Sequence, residues 1–436
     1  MKKISCIILS FCSFASWAKE IDIQHWQTHS GAKVLFVKQT ELPMIDLNIA
    51  FKAGSAYDGK NWGIANLTAN LMDQGANNFD ATKIAEKFED YGAQFSVSVD
   101  RDKAIFSLRT LTYTESLNKT IDTLAMILSK PDFKELSVER EKRQQLTTIH
   151  YMAEKPSSVA SNTFYSKLYP THPYGHSVYG TQATVAPITR KQIQAFYRKH
   201  YTSENATIAI VGNLTTNQAR TLTETLSNRF LSNQTSLSAL PVPNKEHRKE
   251  EVKVNFPVSQ TTIVMGQVGI THKSPFYFPL KVGNYILGGG GLVSKLSEEV
   301  REKRGLTYGV YSSFNTYAQP GPFSINLATQ TAQTDQALEV TQQTLQNFLT
   351  KGPSEKELQS AKNYLVGSFP LQMSSNKSIA AIILNMGYYD LPLNYINTYL
   401  SKIESVSTAD IKNAFLETVQ PNNMLTVMVG QFETKQ

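Results

Sequence analysis

Phe51-Lys-Ala-Gly-Ser-Ala56 opens a series of sequence features that returns in the same order from Met265-Gly-Gln-Val-Gly-Ile270. After a helical stretch, the first half continues with Tyr91-Gly-Ala-Gln-Phe-Ser-Val-Ser-Val99, and the second half with Gly305-Leu-Thr-Tyr-Gly-Val-Tyr-Ser-Ser313. Two unrelated domains would seldom repeat such an order, because self-similarity along a chain is the signature of repeated structural units. The sequence therefore predicts two similar lobes.

The remaining features of each half are a further strand, an amphipathic segment and a charged helix start after a proline. The further strand lies near Ile105 in the first half and near Pro322 in the second. The amphipathic segments are Thr114–Leu128 and Asp335–Leu349, and the charged helix starts follow Pro131 and Pro353. Strands are predicted from alternating apolar residues and helices from apolar residues spaced three or four apart. Consecutive strands followed by paired helices indicate an α+β fold, with a largely antiparallel sheet flanked by helices in each lobe.

The lobe boundaries follow from composition. Residues 232–251 are polar and are interrupted by Pro241 and Pro243, which is typical of a linker. We therefore expect a first lobe over residues 19–231 and a second lobe over residues 252–436. A chain of 436 residues is long enough for more than one core.

The first 18 residues have the pattern of a secretory signal peptide. Lys2 and Lys3 precede a short apolar run, and Ser16-Trp17-Ala18 supplies small residues at the cleavage positions. We expect cleavage between Ala18 and Lys19 and a periplasmic or otherwise exported product. The alternative is a retained anchor, but the apolar run is short for a membrane span.

Both cysteines, Cys6 and Cys12, lie inside this segment, so the mature chain would have none. A disulfide, a thiolate nucleophile and a cysteine zinc site are thereby excluded. Loss of Lys2 and Lys3 lowers the net charge from +7 to +5 (7 − 2). No basic run is interleaved with aromatic residues, so the chain lacks the pattern of a nucleic-acid-binding protein.

Four blocks carry a resemblance to a known family. They are Trp62-Gly-Ile-Ala65, His172-Pro-Tyr-Gly175, Ile286-Leu-Gly-Gly-Gly290 and Val300-Arg-Glu-Lys-Arg-Gly-Leu-Thr-Tyr308. Together they resemble the pitrilysin (insulinase) family of zinc peptidases, in the processing-peptidase-like branch with two lobes per chain. The likeness covers essentially the whole mature chain, and the long ordered last block makes it specific.

In catalytic members of that family, His-x-x-Glu-His follows the Gly-Ile-Ala turn. Histidines at i and i+4 share one helical face and bind zinc, while the glutamate activates the metal-bound water. This chain has Asn66, Ala69 and Asn70 at those positions, and Gln145 and Leu146 where the last ligand is expected. Amide oxygens are poor zinc ligands, so we expect no metal in this chain, with Asn66 and Asn70 facing solvent.

Two histidine pairs have a spacing that could suggest another metal site. His172 and His176 enclose Pro173, which indicates a loop, and His25 and His29 lie in a predicted edge strand and turn. Neither pair has an acidic partner in a recognisable metal pattern. We therefore interpret both pairs as loop or surface histidines.

The second lobe retains the residues that serve substrates in the family. The resemblance implies that Arg301 and Tyr308 reach the substrate and help stabilise the oxyanion, a task suited to these donors. From spacing alone the alternative is structural, with Arg301, Lys303 and Arg304 complementing a helix dipole and Tyr308 half-buried in a strand.

The resemblance also places Gly288, Gly289 and Gly290 near the substrate, whereas a plain helix-entry turn is the alternative. Residues 94–99 are predicted as a strand that could pair with an extended peptide, although an ordinary sheet strand is the simpler interpretation.

These features favour the non-metal subunit of a periplasmic heterodimeric peptidase that acts on peptides or unfolded proteins. Its expected partner is a homologous His-x-x-Glu-His subunit, which would carry the zinc. Two alternatives stay open. One is a non-enzymatic peptide-binding or assembly protein on the same fold, and the other is a self-sufficient metallopeptidase with atypical ligands.

Overall fold

The computed structural model describes residues 21–232, 237–245 and 249–432, so the predicted signal peptide lies outside the described residues. The strands of the first half are β1 (Ile23–Gln27), β2 (Lys33–Lys38), β3 (Met44–Phe51), β4 (Gly75–Ala76), β5 (Phe79–Asp80), β6 (Gln94–Val99), β7 (Ala104–Leu111) and β8 (Ala206–Gly212). Its helices are α1 (Ile64–Leu71), α2 (Ala81–Glu89), α3 (Thr114–Ser129), α4 (Glu135–Ala153), α5 (Pro156–Leu168), α6 (Gln182–Val185), α7 (Arg190–His200) and α8 (Thr216–Ser227).

The second half repeats this plan with fewer strands. Its strands are β9 (Glu250–Asn255), β10 (Gln260–Val268), β11 (Val310–Phe314), β12 (Pro322–Gln330) and β13 (Leu425–Gly430). Its helices are α9 (Tyr277–Asn284), α10 (Thr334–Lys351), α11 (Glu355–Gln372), α12 (Asn376–Tyr388), α13 (Tyr395–Glu404) and α14 (Thr408–Thr418). Two π-helical segments, Tyr285–Gly289 and Ser297–Glu302, lie between α9 and β11.

Each half forms one main sheet. The first sheet has the order β1-β2-β8-β3-β7-β6 and the second has the order β11-β12-β10-β13-β9. Neighbouring strands are antiparallel except for the β2–β8 and β13–β9 pairs, which are parallel. The predicted α+β class with two largely antiparallel sheets is therefore confirmed.

The predicted local patterns correspond to observed elements. Alternation along β6 turns Phe95, Val97 and Val99 toward the first core, while the intervening residues face outward. The two amphipathic segments form α3 and α10, and the charged starts after Pro131 and Pro353 begin α4 and α11. Ser354 caps α11 because its hydroxyl accepts from the backbone of Glu357.

The two halves exchange a helix. Helix α12, from the second half, packs on the first sheet through a cluster that joins Ile383 and Leu384 to Leu35 and Val211. Helix α5, from the first half, packs on the second sheet. The apolar face of each helix is thus buried by the other half, and these two shared clusters add to the core that each half builds from its own residues.

A buried carboxylate connects the halves at one point. Asp102, in the turn between β6 and β7, accepts hydrogen bonds from Tyr174 Oη at 2.5 Å, Tyr389 Oη at 2.9 Å and the Ala318 amide at 2.8 Å. Tyr388 Oη donates to the Asp102 carbonyl oxygen at 2.7 Å. Residues from both halves therefore share one acceptor, which fixes their relative position.

The predicted linker is packed between the halves in its described part. His172 bonds the Pro241 carbonyl oxygen at 2.8 Å through Nε2, and Gln319 Nε2 donates to the Leu240 carbonyl oxygen at 3.0 Å. Strand β9 begins at Glu250, one residue before the predicted end of the linker. In the part of the chain that the structure describes, we find no helix that is both long and apolar enough to cross a lipid bilayer.

Candidate functional site

The start of α1 is held by a buried aspartate. Gly63 precedes the helix with a left-handed backbone (φ 95°), and Asp58 accepts from the amides of Gly63 at 2.6 Å and Ala65 at 2.9 Å. Free amides at a helix start favour a negative acceptor. Burial raises the pKa of Asp58 well above its ordinary value, while the two amide bonds act in the opposite direction.

The degenerate motif lies on this helix, and its two asparagine side chains are hydrogen-bonded to each other. Asn70 Nδ2 donates to the Asn66 carbonyl oxygen at 2.9 Å and to Asn66 Oδ1 at 3.1 Å. Asn66 is 9% exposed and Ala69 is fully buried. The prediction that both asparagines face solvent is wrong for Asn66, because α1 packs against α4 and α7 and the amide pair satisfies its own polar groups.

Gln145, on α4, contacts the backbone at the start of α1. Its Nε2 donates to the Gly63 carbonyl oxygen at 3.0 Å and to the Tyr179 carbonyl oxygen at 2.8 Å. The two backbones meet so closely that a Cβ on Gly63 would lie 2.5 Å from the Tyr179 oxygen. Two amide hydrogens suit this position, whereas a carboxylate would face two carbonyl oxygens.

These residues do not fit a zinc ion. Asparagine and glutamine amides occupy the expected ligand positions and bond one another or the backbone, and Ala69 cannot take up a proton. Within residues 21–232, 237–245 and 249–432, no group of three or more His, Cys, Asp or Glu side chains is placed to hold a metal. The arrangement supports the local fold and offers no metal-activated water.

The histidine pairs are placed in two different settings. His172 and His176 flank the short turn Pro173–Gly175, as predicted for a loop, but both are 8% exposed, so the surface interpretation is wrong. Burial lowers the pKa of each. His176 stacks on Trp62 with ring centroids 5.0 Å apart. His25 lies on edge strand β1, and His29 pairs with Glu224 at 3.1 Å.

A cavity that the sequence patterns do not predict lies beside this stack. It has a volume of about 570 Å³ and is lined by residues that include Trp62, Ile149, Tyr169 and His176. Trp62 is 40% exposed, which is unusual for a large aromatic residue at a helix start. The exposed aromatic before Gly63 is the only sequence signal that could have indicated this cavity.

The glycine-rich segment of the second half belongs to an irregular helix. Gly288 and Gly289 end the π-helical segment and Gly290 follows it. A Cβ on Gly288 would lie 2.5 Å from Ser312 Oγ, and one on Gly290 would lie 2.7 Å from the Tyr285 carbonyl oxygen. Close packing against β11 at Gly288, and against the preceding helical turn at Gly290, thus accounts for small residues here. Val293, which follows these glycines, is 77% exposed in a short 3₁₀ turn.

Arg301 and Tyr308 lie on either side of Gly305, which has a left-handed backbone (φ 61°). The neighbours of Arg301 are paired, with Lys303 bound to Glu298 and Glu299 and Arg304 bound to Glu299. The guanidinium of Arg301 has no hydrogen bond or ion pair with any described residue.

Tyr308 is 87% exposed, and its hydroxyl has no hydrogen-bond partner among residues 21–232, 237–245 and 249–432. Strand β11 begins only at Val310, so the alternative of a half-buried strand aromatic does not hold. The Arg301 guanidinium and the Tyr308 hydroxyl, both in one segment of the second half, therefore have no hydrogen-bond partner among the described residues. No hydrogen bond or ion pair links them to α1 within the described ranges.

Comparison with known proteins follows this division of the chain. Residues 33–182 match the family model described as insulinase (peptidase family M16), and residues 187–365 match the one described as peptidase M16 inactive domain. A crystal structure described as a peptidase M16 inactive domain from Pseudomonas fluorescens is 36% identical to this chain. It superimposes with a TM-score of 0.92 and covers 95% of this chain and 99% of its own. The chain belongs to peptidase family M16.

Other relatives of this M16 chain are more distant. A Helicobacter pylori protein named non-peptidase homolog YmxG is 26% identical over 403 residues, which is 91% of each chain. A structure described as a protease from Helicobacter pylori has 18% identity and a TM-score of 0.85, covers 94% of this chain and 99% of its own, and shows a shared fold. Together with the broken motif, the inactive-domain matches place this M16 chain in the non-catalytic branch of the family.

Proposed function

We propose that this M16 chain is the exported non-metal subunit of a heterodimeric zinc peptidase that cleaves peptides or unfolded proteins. The observation that carries the proposal is the contrast between the two halves. The helix that would hold metal is filled by the Asn66–Asn70 pair, whereas Arg301 and Tyr308 are unoccupied donors. Both donors are accessible from outside the chain and neither contributes a hydrogen bond to the fold of the described residues, so an external acceptor can reach them.

In this proposal Arg301 and Tyr308 donate to the carbonyl oxygen of a peptide held by the partner. Both donors strengthen their bonds as that oxygen gains negative charge, so they act mainly in the transition state. The zinc and the general base belong to a homologous subunit with His-x-x-Glu-His. The expected export by residues 1–18 places the complex in the periplasm.

The test is co-expression with such a homologue and measurement of peptide cleavage by the purified complex. For the Arg301→Ala, Tyr308→Phe double variant, we expect kcat/KM to fall by about 10²-fold or more, as for loss of oxyanion donors. The matched control is the Arg304→Ala, Tyr311→Phe double variant. It removes a guanidinium that is already paired with Glu299 and the hydroxyl of another exposed tyrosine, and it should cleave nearly as fast as the unsubstituted complex. Equal cleavage by both variants, or failure to form any complex, contradicts the proposal.

A second candidate is a non-enzymatic peptide-binding or assembly protein. It is favoured by the name of the Helicobacter pylori relative, non-peptidase homolog. This candidate predicts that the chain binds unfolded peptide without a homologous partner, and that binding survives loss of Arg301 and Tyr308. Fluorescence anisotropy with a labelled unstructured peptide distinguishes the two candidates.

A further inference from the structure

One face of the first sheet is only half covered. Helix α12 packs on the strands at the β2 end, where Leu35, Val37, Ala209 and Val211 turn apolar side chains toward it. Beyond β3, the same face continues over β7 and β6. The side chains there are mostly polar, whereas those under α12 are apolar.

The register aligns polar side chains into rows across this uncovered part. Asp46 on β3 lies opposite Arg109 on β7, and Arg109 lies opposite Gln94 on β6. In the next row, Asn48 lies opposite Ser107, and Ser107 lies opposite Ser96. Because side chains alternate between the two faces of a sheet, these rows share the face on which α12 lies.

The two rows differ in how their polar atoms are satisfied. Arg109 donates to both carboxylate oxygens of Asp46, through Nε and Nη2, each at 3.0 Å. Asn48 is only 8% exposed, yet its side-chain amide has no partner among the described residues. The hydroxyls of Ser96 and Ser107 also have none within those ranges. Ser96 is exposed and Ser107 is half-buried, so their hydroxyls are open to solvent and accessible to a ligand. Buried polar groups are normally hydrogen-bonded, so the unpartnered amide of the buried Asn48 beside these accessible hydroxyls points to an external ligand.

These rows form the polar floor of a groove with a volume of about 400 Å³. Helix α12 forms its wall with Lys377, Ala381, Leu384 and Asn385. Asn385 and Lys377 contribute further side chains with no partner in the described parts of the chain. A volume of this size lies in the range of small-molecule sites, which runs from about 300 to 1,000 Å³.

We propose that this groove binds a neutral hydroxyl-rich ligand of the size of one or two sugar units. The planar amides of Asn48 and Asn385 and the hydroxyls of Ser96 and Ser107 can each donate and accept, as sugar hydroxyls also do. Ile105 and Leu384 supply apolar surface for the C–H face of a ring. Asp46 neutralises Arg109, which leaves Lys377 as the one unbalanced charge in the lining and makes an anion a poorer fit.

An extended peptide is a less suitable ligand for the groove floor. The backbone groups of β3 and β7 are already bonded on both sides within the sheet, so the floor offers only side chains. A peptide that adds a strand would use the free edge of β6, which does not require the polar rows. The proposed site thus does not use Arg301 or Tyr308.

The test uses the full chain and named sugars. Glucose, N-acetylglucosamine, maltose and cellobiose are titrated and followed by saturation-transfer NMR and calorimetry. We expect at least one to bind with a dissociation constant of about 1 mM or tighter. Ser107→Val, which places two methyl groups on the groove floor, and Asn48→Leu, which removes the amide at similar volume, should each weaken binding by about tenfold or more.

Asn326→Leu is the control, because Asn326 is an exposed asparagine on β12 of the other sheet. It should leave sugar binding unchanged, and circular dichroism checks that every variant is folded. If no sugar in the panel binds, or if binding is unchanged in both groove variants, the proposal is wrong. A groove that binds peptide would also overturn the proposal. In that case an unstructured peptide would bind the unsubstituted chain but not the Ser107→Val and Asn48→Leu variants, and added sugars would not compete with the peptide.

Discussion

The side-chain amide of Gln145 donates to the carbonyl oxygen of Gly63 at 3.0 Å and so connects α4 to the start of α1. A second bond to the Tyr179 carbonyl oxygen at 2.8 Å uses its other hydrogen. The residue at an expected ligand position has therefore acquired a structural task that needs a donor. Gln145 thus supports the local fold at the position where a metal ligand was expected.

Exchange of this donor for a carboxylate should destabilise the protein. In Gln145→Glu, an ionised group would face two carbonyl oxygens in a buried position, and we expect a loss of about 3 kcal/mol in the free energy of unfolding at neutral pH. The loss should shrink in acid, since a protonated carboxyl can donate one hydrogen bond. Urea denaturation at several pH values measures it. Gln144→Glu on the exposed face of α4 is the control, and an equal effect of the two substitutions would refute the structural role.

The Asp102 junction predicts a pH dependence of stability. Burial raises the pKa of Asp102, so the folded chain holds this proton to higher pH than the unfolded chain does. The free energy of unfolding should accordingly fall as pH rises from the ordinary value of 3.8 through the raised pKa. Asp102→Asn should remove this component of the fall, whereas Asp390→Asn, at a side chain that is 65% exposed, should retain it. The same pH profile in all three proteins would contradict the assignment.

Truncation of Asp102 should cost more than its neutralisation. Asp102→Ala leaves two tyrosine hydroxyls and one amide without their acceptor, and we expect a loss of about 3–5 kcal/mol. In Asp102→Asn a polar side chain remains, and the tyrosine hydroxyls can reorient to hydrogen-bond with it. The decrease in the free energy of unfolding should therefore be smaller for Asp102→Asn than for Asp102→Ala. Denaturant titration at pH 7 compares the two, and a larger loss for Asp102→Asn would be inconsistent with the hydrogen-bond arrangement.

The exchanged helix predicts that the two halves unfold together. Ile383 is fully buried where α12 meets the first sheet, so Ile383→Ala should cost about 2–5 kcal/mol. Thermal unfolding should remain a single transition, because separation of the halves would expose the two apolar clusters that α5 and α12 share with the opposite sheets. Ile382→Ala, at the partly buried neighbour, should cost less. Two separate transitions, with only one shifted by Ile383→Ala, would show that the halves are independent.

The sequence predicts most of the elements but not their partners. Amphipathic spacing defines α3 and α10 because a helix with one apolar stripe must bury it. The same spacing in α5 and α12 cannot say which sheet receives that stripe, and each helix packs on the sheet of the other half. The charged turn Asp100-Arg-Asp-Lys103 resembles an exposed hairpin, and only the tertiary contacts of Asp102 show that it is buried.

The same limits apply to the candidate site. The resemblance identifies Asn66, Ala69 and Asn70 because a metal motif depends on residue type at fixed spacing. The burial of Asn66 could not be predicted, since its bonds come from Asn70 and its enclosure from helix packing. Arg301 has no ion-pair partner among the residues that the structure describes, because Lys303 and Arg304 pair with the nearby glutamates. The spacing of residues in the sequence does not reveal which cation pairs with which glutamate.

Metal content of the purified chain tests most directly the central claim that its own metal helix has been converted to a structural element. The chain is incubated with excess zinc, dialysed and analysed for bound metal, and peptide cleavage is assayed with and without a chelator. We predict far less than one zinc per chain and no chelator-sensitive cleavage by the chain alone. Stoichiometric zinc together with cleavage that the chelator abolishes would contradict the account and would establish a self-sufficient peptidase with atypical ligands.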